Sequence, residues 1–180
     1  MRIVGGRWAG RALTSPGGRV RPTAEDVREH CMRVLAADLA DARVLDLFAG
    51  TGAIGLEALS RGARCADFVE SQPDALHALK ANVAALRARE RARVFKQDAV
   101  AFMDALDAEA YDVGFADPPY RSALSARVAE RWLAVPFARV LVIEHAAERT
   151  LPGRGKRLVA GDACLTVLRA DARLPPDADS

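Results

Sequence analysis

Residues 45–60 read LDLFAGTGAIGLEALS, and the fold follows from how this stretch divides. The apolar run before Ala49 suits a buried strand, and the residues from Ala53 onward suit a helix, so Gly50 and Gly52 stand in the turn between them. Residues 50–55, GTGAIG, match the G-x-G-x-x-G fingerprint, in which glycines permit a sharp strand-to-helix turn and a close approach of backbone to ligand. Two ligand classes use such a loop, a nicotinamide dinucleotide and S-adenosylmethionine, and the loop alone does not separate them.

Working outward from this turn, strand-like and helix-like segments alternate, as in an α/β domain with a largely parallel sheet. RVLDLFA at 43–49 and CADFVE at 65–70 read as strands, and GAIGLEALSRGA between them as a helix closed by Gly62. Pro73 opens the helix QPDALHALKANVAALRARE at 72–90. ARVFKQD, YDVGFADPP and ARVLVIEH read as further strands, separated by the helices AVAFMDAL and SALSARVAERWL, and KRLVAGDACLTVLRAD as a hairpin at the sheet edge. Upstream, TAEDVREHCMRVLAADL reads as a helix capped by Thr23, and RIVGGRWAGRAL as two short strands about a glycine turn. The expected division is an arm at 1–22, one domain at 23–171 and a disordered tail at 172–180.

At 180 residues and 51% apolar composition the chain is long enough for one core. It shows no membrane-length apolar run and no secretory leader, so the expectation is a cytoplasmic protein. Cys31, Cys65 and Cys164 are scattered and odd in number, as are His30, His77 and His145, so neither disulfides nor a metal site is expected. Net charge is only +2, yet residues 1–22 carry Arg2, Arg7, Arg11, Arg19 and Arg21 with no acid, a local basic arm able to meet nucleic-acid phosphates.

Three acids sharpen the loop's meaning. Glu70 ends the second strand, 20 residues beyond Gly50, where a carboxylate can accept ribose hydroxyl protons in either ligand class. Asp46 lies inside the first strand, and a charge there is costly unless something satisfies it. S-adenosylmethionine brings an ammonium and a sulfonium, whereas a dinucleotide brings a pyrophosphate that would oppose the carboxylate. DPPY, residues 117–120, follows an apolar strand and therefore stands at the carboxyl edge of the sheet with Gly50 and Glu70. The prolines remove backbone donors and leave the Pro118 carbonyl beside the Asp117 carboxylate. Two acceptors at one spot suit an exocyclic NH2 group, which offers two donors, and Tyr120 could stack on the base that carries it.

The motifs LDLFAGTGAIGLEALSRGA, FVES, KQDA and ADPPY, preceded by MRIVGGRWAGR and RPTAEDVRE, together resemble the bacterial 16S ribosomal RNA guanine-N2 methyltransferases from residue 1 to about residue 169. The resemblance implies a Rossmann-like class I methyltransferase fold, with a seven-stranded, mostly parallel sheet, helices on both faces and a small N-terminal β-hairpin arm. It implies S-adenosyl-L-methionine as cofactor and methylation of a guanine N2 amine of 16S rRNA, within a small-subunit particle or assembly intermediate, by a monomer. By position it assigns Asp46, Phe48, Ala49, Gly50, Thr51 and Gly52 to the methionine end of the cofactor, Glu70 and Ser71 to the ribose, and Asp98 and Ala99 to the adenine. Asp117, Pro118, Pro119 and Tyr120 would hold the target base, with Asp117 also near the cofactor. Arg2, Arg7, Arg11, Arg19, Arg21 and Arg28 would face RNA. Read without the family, Asp98 is equally an N-cap for the next helix. Asp26 and Met32 depart from the family's run in the first helix. Alternatives are transfer to adenine N6 of RNA or DNA, and a non-catalytic RNA-binding assembly factor.

Overall fold

A computed structural model describes residues 1–15, 22–120 and 122–171. Arg19, Arg21 and the tail expected at 172–180 lie outside the described residues. The chain runs α1 (Pro22–Val34), α2 (Ala36–Leu39), β1 (Arg43–Leu47), α3 (Ala53–Ser60), β2 (Cys65–Glu70), α4 (Pro73–Ala85), β3 (Ala92–Lys96), α5 (Ala99–Asp104), β4 (Tyr111–Ala116), α6 (Leu124–Ala134), β5 (Ala138–Ala146), β6 (Lys156–Ala160) and β7 (Ala163–Arg169). α1 starts at Pro22 and not after a Thr23 cap. Proline is at home at the first helical position because its missing N–H has no partner there in any case.

The seven strands form one sheet in the order β3-β2-β1-β4-β5-β7-β6. β1 to β5 pair in parallel, and the β6–β7 hairpin adds an antiparallel edge. Alternate side chains go to opposite faces. Leu45, Leu47, Val69 and Ile143 pack under α5 and α6, while Val44, Phe68, Val113 and Phe115 pack under the N-terminal arm, α1, α3 and α4.

The arm departs from the expected pair of strands. A single bridge joins Arg2 to Ala12, and residues Gly6–Trp8 turn as a short 3-10 helix. The reason lies in where its backbone N–H groups go. Val4 and Gly5 donate to the Glu57 carboxylate on α3 at 2.8 and 2.7 Å, Trp8 to the Ser60 hydroxyl at 2.9 Å, and Thr14 to Asn82 of α4 at 2.7 Å. Side chains of the domain thus add to the backbone bonds within the arm, where Ile3 donates to Arg11, Gly10 to Ile3 and Leu13 to Met1 at 2.9 Å each. Ile3, Trp8 and Leu13 are buried in the same core as the sheet. At Gly6, with φ of 77°, an added Cβ would lie 2.1 Å from the Ser60 carbonyl oxygen, so the close docking depends on glycine there.

Candidate active site

The glycines of the β1–α3 turn have different reasons. Gly50 has φ of 56°, and a Cβ there would meet nothing within 4 Å, so its backbone borders open space. A Cβ on Gly52 would lie 2.3 Å from Leu79 Cδ1, and one on Gly55 would lie 2.4 Å from Phe68 Cε1. Gly52 and Gly55 thus let α3 and α4 close onto β2, while Gly50 borders the open space. Phe48 also has positive φ, 60°, a strained conformation for a residue with a side chain, and it borders the same space while packing against the core under α5 and α6.

That space is a cavity of about 590 Å³ over the carboxyl ends of β1, β4 and β5, walled by the glycine turn, α1, Met1 and the β6–β7 turn. Asp46 pairs in register with Phe115, and Ala116 with Ile143. By strand alternation Asp46, Phe115, Asp117, Val142 and Glu144 share the face toward α1 and α3, and all five line the cavity.

Asp46 is buried and accepts one hydrogen bond, from the Gly55 N–H at 2.9 Å. Burial, opposed by that bond and reinforced by Asp117 and Glu70, pushes its carboxyl up to about 8. A cation brought into the cavity would relieve this cost. Asp117 keeps water contact through the cavity while protein surrounds it on the other sides. Its carboxyl is raised, first by desolvation and second by the Glu144 carboxylate. Glu144, half-buried, is raised by desolvation. Among the described residues no hydrogen bond uses the Pro118 carbonyl, which stays available beside Asp117. Cys31 also borders the cavity, but burial pushes its thiol to about 12, so it packs there as a neutral group.

Glu70 holds its own surroundings together. Its carboxylate accepts the N–H groups of Gly50 at 2.8 Å and of Ser71 and Gln72 at 2.7 Å each. It ties the glycine turn to the end of β2, with lone-pair capacity left for a further donor. Asp98 caps α5, its Oδ1 accepting from Val100 and Ala101 at 3.0 and 2.9 Å, which leaves Oδ2 for a ligand. Glu70, Ser71, Asp98 and Ala99 do not line the cavity, and Ala99 is buried in the core. Tyr120 is exposed and donates its hydroxyl hydrogen to the Asp162 carbonyl in the β6–β7 turn. Pro119 accepts from Ser122 and shapes the turn.

The arginines divide as well. Arg28, expected to face RNA, is buried: it donates to the Arg2 carbonyl at 2.7 Å, stands 3.6 Å from Glu57 and borders the cavity. Arg2 pairs with Glu25 at the surface. Arg11 donates to the Ala85 carbonyl. Arg7 stacks over Trp8, 4.4 Å from the ring centre, and Arg91, unanticipated from sequence, approaches the same ring at 5.5 Å. Glu144 and Glu57 were also missed. The available signals were the period-two run Val140, Val142, Glu144 and the inward stripe Ala53, Leu56, Glu57, Ser60 on α3.

A seven-stranded sheet with this strand order, a glycine turn after β1 and an acid at the end of β2 define the class I S-adenosylmethionine methyltransferase fold. The chain belongs to the family described as Conserved hypothetical protein 95, whose model matches residues 1–162. It is 36% identical over 193 aligned positions to the ribosomal RNA small subunit methyltransferase D of Escherichia coli (strain K12), covering 99% of this chain and 94% of that protein. The solved Escherichia coli protein yhhF superposes with a TM-score of 0.83 at 34% identity, over 96% of this chain and 98% of that one. The Thermus thermophilus 16S rRNA N2 methyltransferase RsmC, solved with AdoMet and guanosine, shares the fold with a TM-score of 0.61 at 20% identity, over 85% of this chain and 44% of that one.

Proposed function

We propose that this protein transfers a methyl group from S-adenosylmethionine to the exocyclic N2 amine of a guanine in small-subunit ribosomal RNA. One observation carries the reading: the Asp117 carboxylate, without a protein donor, stands at the cavity one strand away from the buried Asp46, and the Pro118 carbonyl that follows it in the chain accepts no hydrogen bond among the described residues. The residues present fit the cofactor. Asp46 would pair with its ammonium, Gly50 leaves space beside the turn, Glu70 and Ser71 would meet the ribose, and Asp98 and Ala99 the adenine, with Phe48, Ala49 and Thr51 shaping the methionine end. When bound, the cofactor supplies an already activated methyl group, so no nucleophilic side chain or metal is required of the protein.

The remaining work is positioning and electrostatics. Asp117 and the Pro118 carbonyl would each accept one amine hydrogen, which turns the nitrogen lone pair toward the donor. As that nitrogen becomes positive, the Asp117 carboxylate stabilises it and is placed to take the proton it sheds. Pro119 stiffens the turn, and Tyr120, held to the β6–β7 turn through its hydroxyl, would stack on the base. A base so enclosed must be unstacked first, which favours an exposed rRNA loop presented by an assembling particle. Arg7, Arg11 and Arg91, with Arg2, Arg19 and Arg21, would hold phosphates away from the target base. Cofactor acids, amine acceptors and arm all come from one chain, so a monomer suffices. The reading puts the protein's work in the cytoplasm, where ribosomal RNA is.

Incubation with radiolabelled cofactor and small-subunit rRNA or particles lacking the modification, followed by nucleoside analysis, tests this. Labelled N2-methylguanosine is expected. Label in N6-methyladenosine would replace the substrate, and no transfer under conditions where the cofactor binds would leave an RNA-binding assembly factor.

A further inference from the structure

Glu144 has no part in the chemistry derived above, yet it is set beside Asp117. Ala116 and Ile143 are register partners in the parallel β4–β5 pair, so Asp117 and Glu144 follow as neighbours one step on, on strands about 4.8 Å apart. Phe115 and Val142, two positions back on each strand, line the cavity, and so do both acids. Among the described residues no hydrogen bond or ion pair satisfies either one. Two enclosed acids away from the cavity are supplied with donors: Asp67 has Arg93 and Tyr111, and Glu57 has two arginines and two backbone N–H groups. Two neighbouring acids left without donors suit a ligand that brings several of its own.

A guanine meets that requirement along one edge. Its N2 carries two hydrogens, and N1, the adjacent ring atom, carries a third. Asp117 and the Pro118 carbonyl account for the amine. The cavity acids run outward from the glycine turn, Asp46 on β1, Asp117 on β4, Glu144 on β5, so the next acceptor past the amine clamp is Glu144. We infer that Glu144 accepts the N1–H of the target guanine and so selects guanine against adenine. Adenine has an unprotonated N1 beside its amine, and that lone pair would face the carboxylate. The inference rests on the guanine-N2 reading above and adds the residue that enforces it.

The test uses ribonucleosides that differ at this edge. Guanosine, 2-aminopurine riboside, which keeps the N2 amine but lacks N1–H, and adenosine are titrated by NMR into the full-length protein saturated with S-adenosylhomocysteine. In parallel, kcat/KM for methylation of rRNA is measured. The parent should prefer guanosine over 2-aminopurine riboside by roughly 10-fold, the scale of one base-edge contact. Glu144→Ala should bring that preference to within about two-fold and lower kcat/KM by roughly 10-fold or more, with S-adenosylhomocysteine binding and melting temperature as in the parent. Glu144→Gln, nearly the same shape and able to donate to an unprotonated N1, should shift the preference toward 2-aminopurine riboside, which a loss of packing would not do. Should Glu144→Ala fold poorly, Glu144→Gln carries the comparison. Parent-like selectivity and kcat/KM in the variants overturn the inference alone. A parent protein that forms no N2-methylguanosine overturns the functional reading and this inference with it.

Discussion

Glu57 on α3 is enclosed by protein, Asp117 at the end of β4 is exposed at the cavity, and their surroundings are opposite. Glu57 has no exposed surface and a complete set of donors: the N–H groups of Val4 and Gly5, Arg61 Nε at 2.9 Å and Arg28 Nε at 3.6 Å. Its charge locks the arm onto the domain. Asp117 and its neighbour Glu144 have acceptors turned toward a cavity and no donor from the protein. A buried charge left unsatisfied costs stability, and a site that leaves its acids open keeps that electrostatic potential for a substrate. The contrast separates acids that build this fold from acids that act.

Removing a satisfied acid should damage the fold most. Glu57→Ala strands the buried Arg28, a second arginine and two backbone N–H groups, and should lower unfolding free energy by about 3 to 5 kcal/mol in denaturant titrations. A loss below about 1 kcal/mol would mean that the arm is held by its apolar contacts alone. Glu70 stands between the two groups, since it ties three backbone N–H groups and is proposed to meet the cofactor ribose. Glu70→Ala should weaken S-adenosylhomocysteine binding by about 1 to 3 kcal/mol in calorimetry, and unchanged affinity would move Glu70 wholly to the structural side.

Asp46 lets the comparison be read by pH. Its carboxyl sits near 8 in the folded protein against 3.8 as a free side chain. A raised folded value contributes stability that is complete below the unfolded value and lost as pH rises through the folded one. Without cofactor, the parent should therefore lose stability between about pH 4 and pH 8 relative to Asp46→Asn, and parallel stability curves would show Asp46 to be ionised throughout. Cofactor binding near pH 7 should release protons from the parent and fewer from Asp46→Asn, measured as calorimetric heats in buffers of different ionisation enthalpy.

The smallest effect belongs to the surface. Replacing Arg7 and Arg91 by Ala should flatten the log-affinity against log-salt slope for rRNA by roughly 0.7 to 0.9 for each phosphate no longer neutralised, with cofactor affinity as in the parent. An unchanged slope with lower stability would reassign both arginines to covering Trp8.

The parts of this molecule that were legible in sequence are those where the signal is local. The turn after β1, the acid closing β2 and the DPPY corner each sit within a few residues of the glycines, prolines and apolar runs that announce them. The β6–β7 hairpin was legible for the same reason. What escaped reading is joined across the chain. Val4 and Glu57 are 53 residues apart, and nothing in either segment says that the arm gives the N–H groups of Val4 and Gly5 to α3. Arg28 belongs to a basic-looking stretch and is buried because that arm folds over it. Arg91 joins Arg7 only through Trp8. Glu144 looked like an ordinary strand residue until the register of β4 and β5 set it beside Asp117. Tyr120 was legible as an aromatic residue at the site, but not its hold on the β6–β7 turn, a contact between segments 42 residues apart.

The most direct test of the distinction between open and satisfied acids is the single-turnover rate of Asp117→Ala with saturating cofactor and rRNA, measured beside its unfolding free energy. A rate lowered by roughly 100-fold or more is expected, equivalent to about 3 kcal/mol of transition-state stabilisation, with cofactor affinity within a few-fold of the parent and no loss of stability. Near-parent turnover, or a slow enzyme that is also destabilised as Glu57→Ala is expected to be, would contradict it.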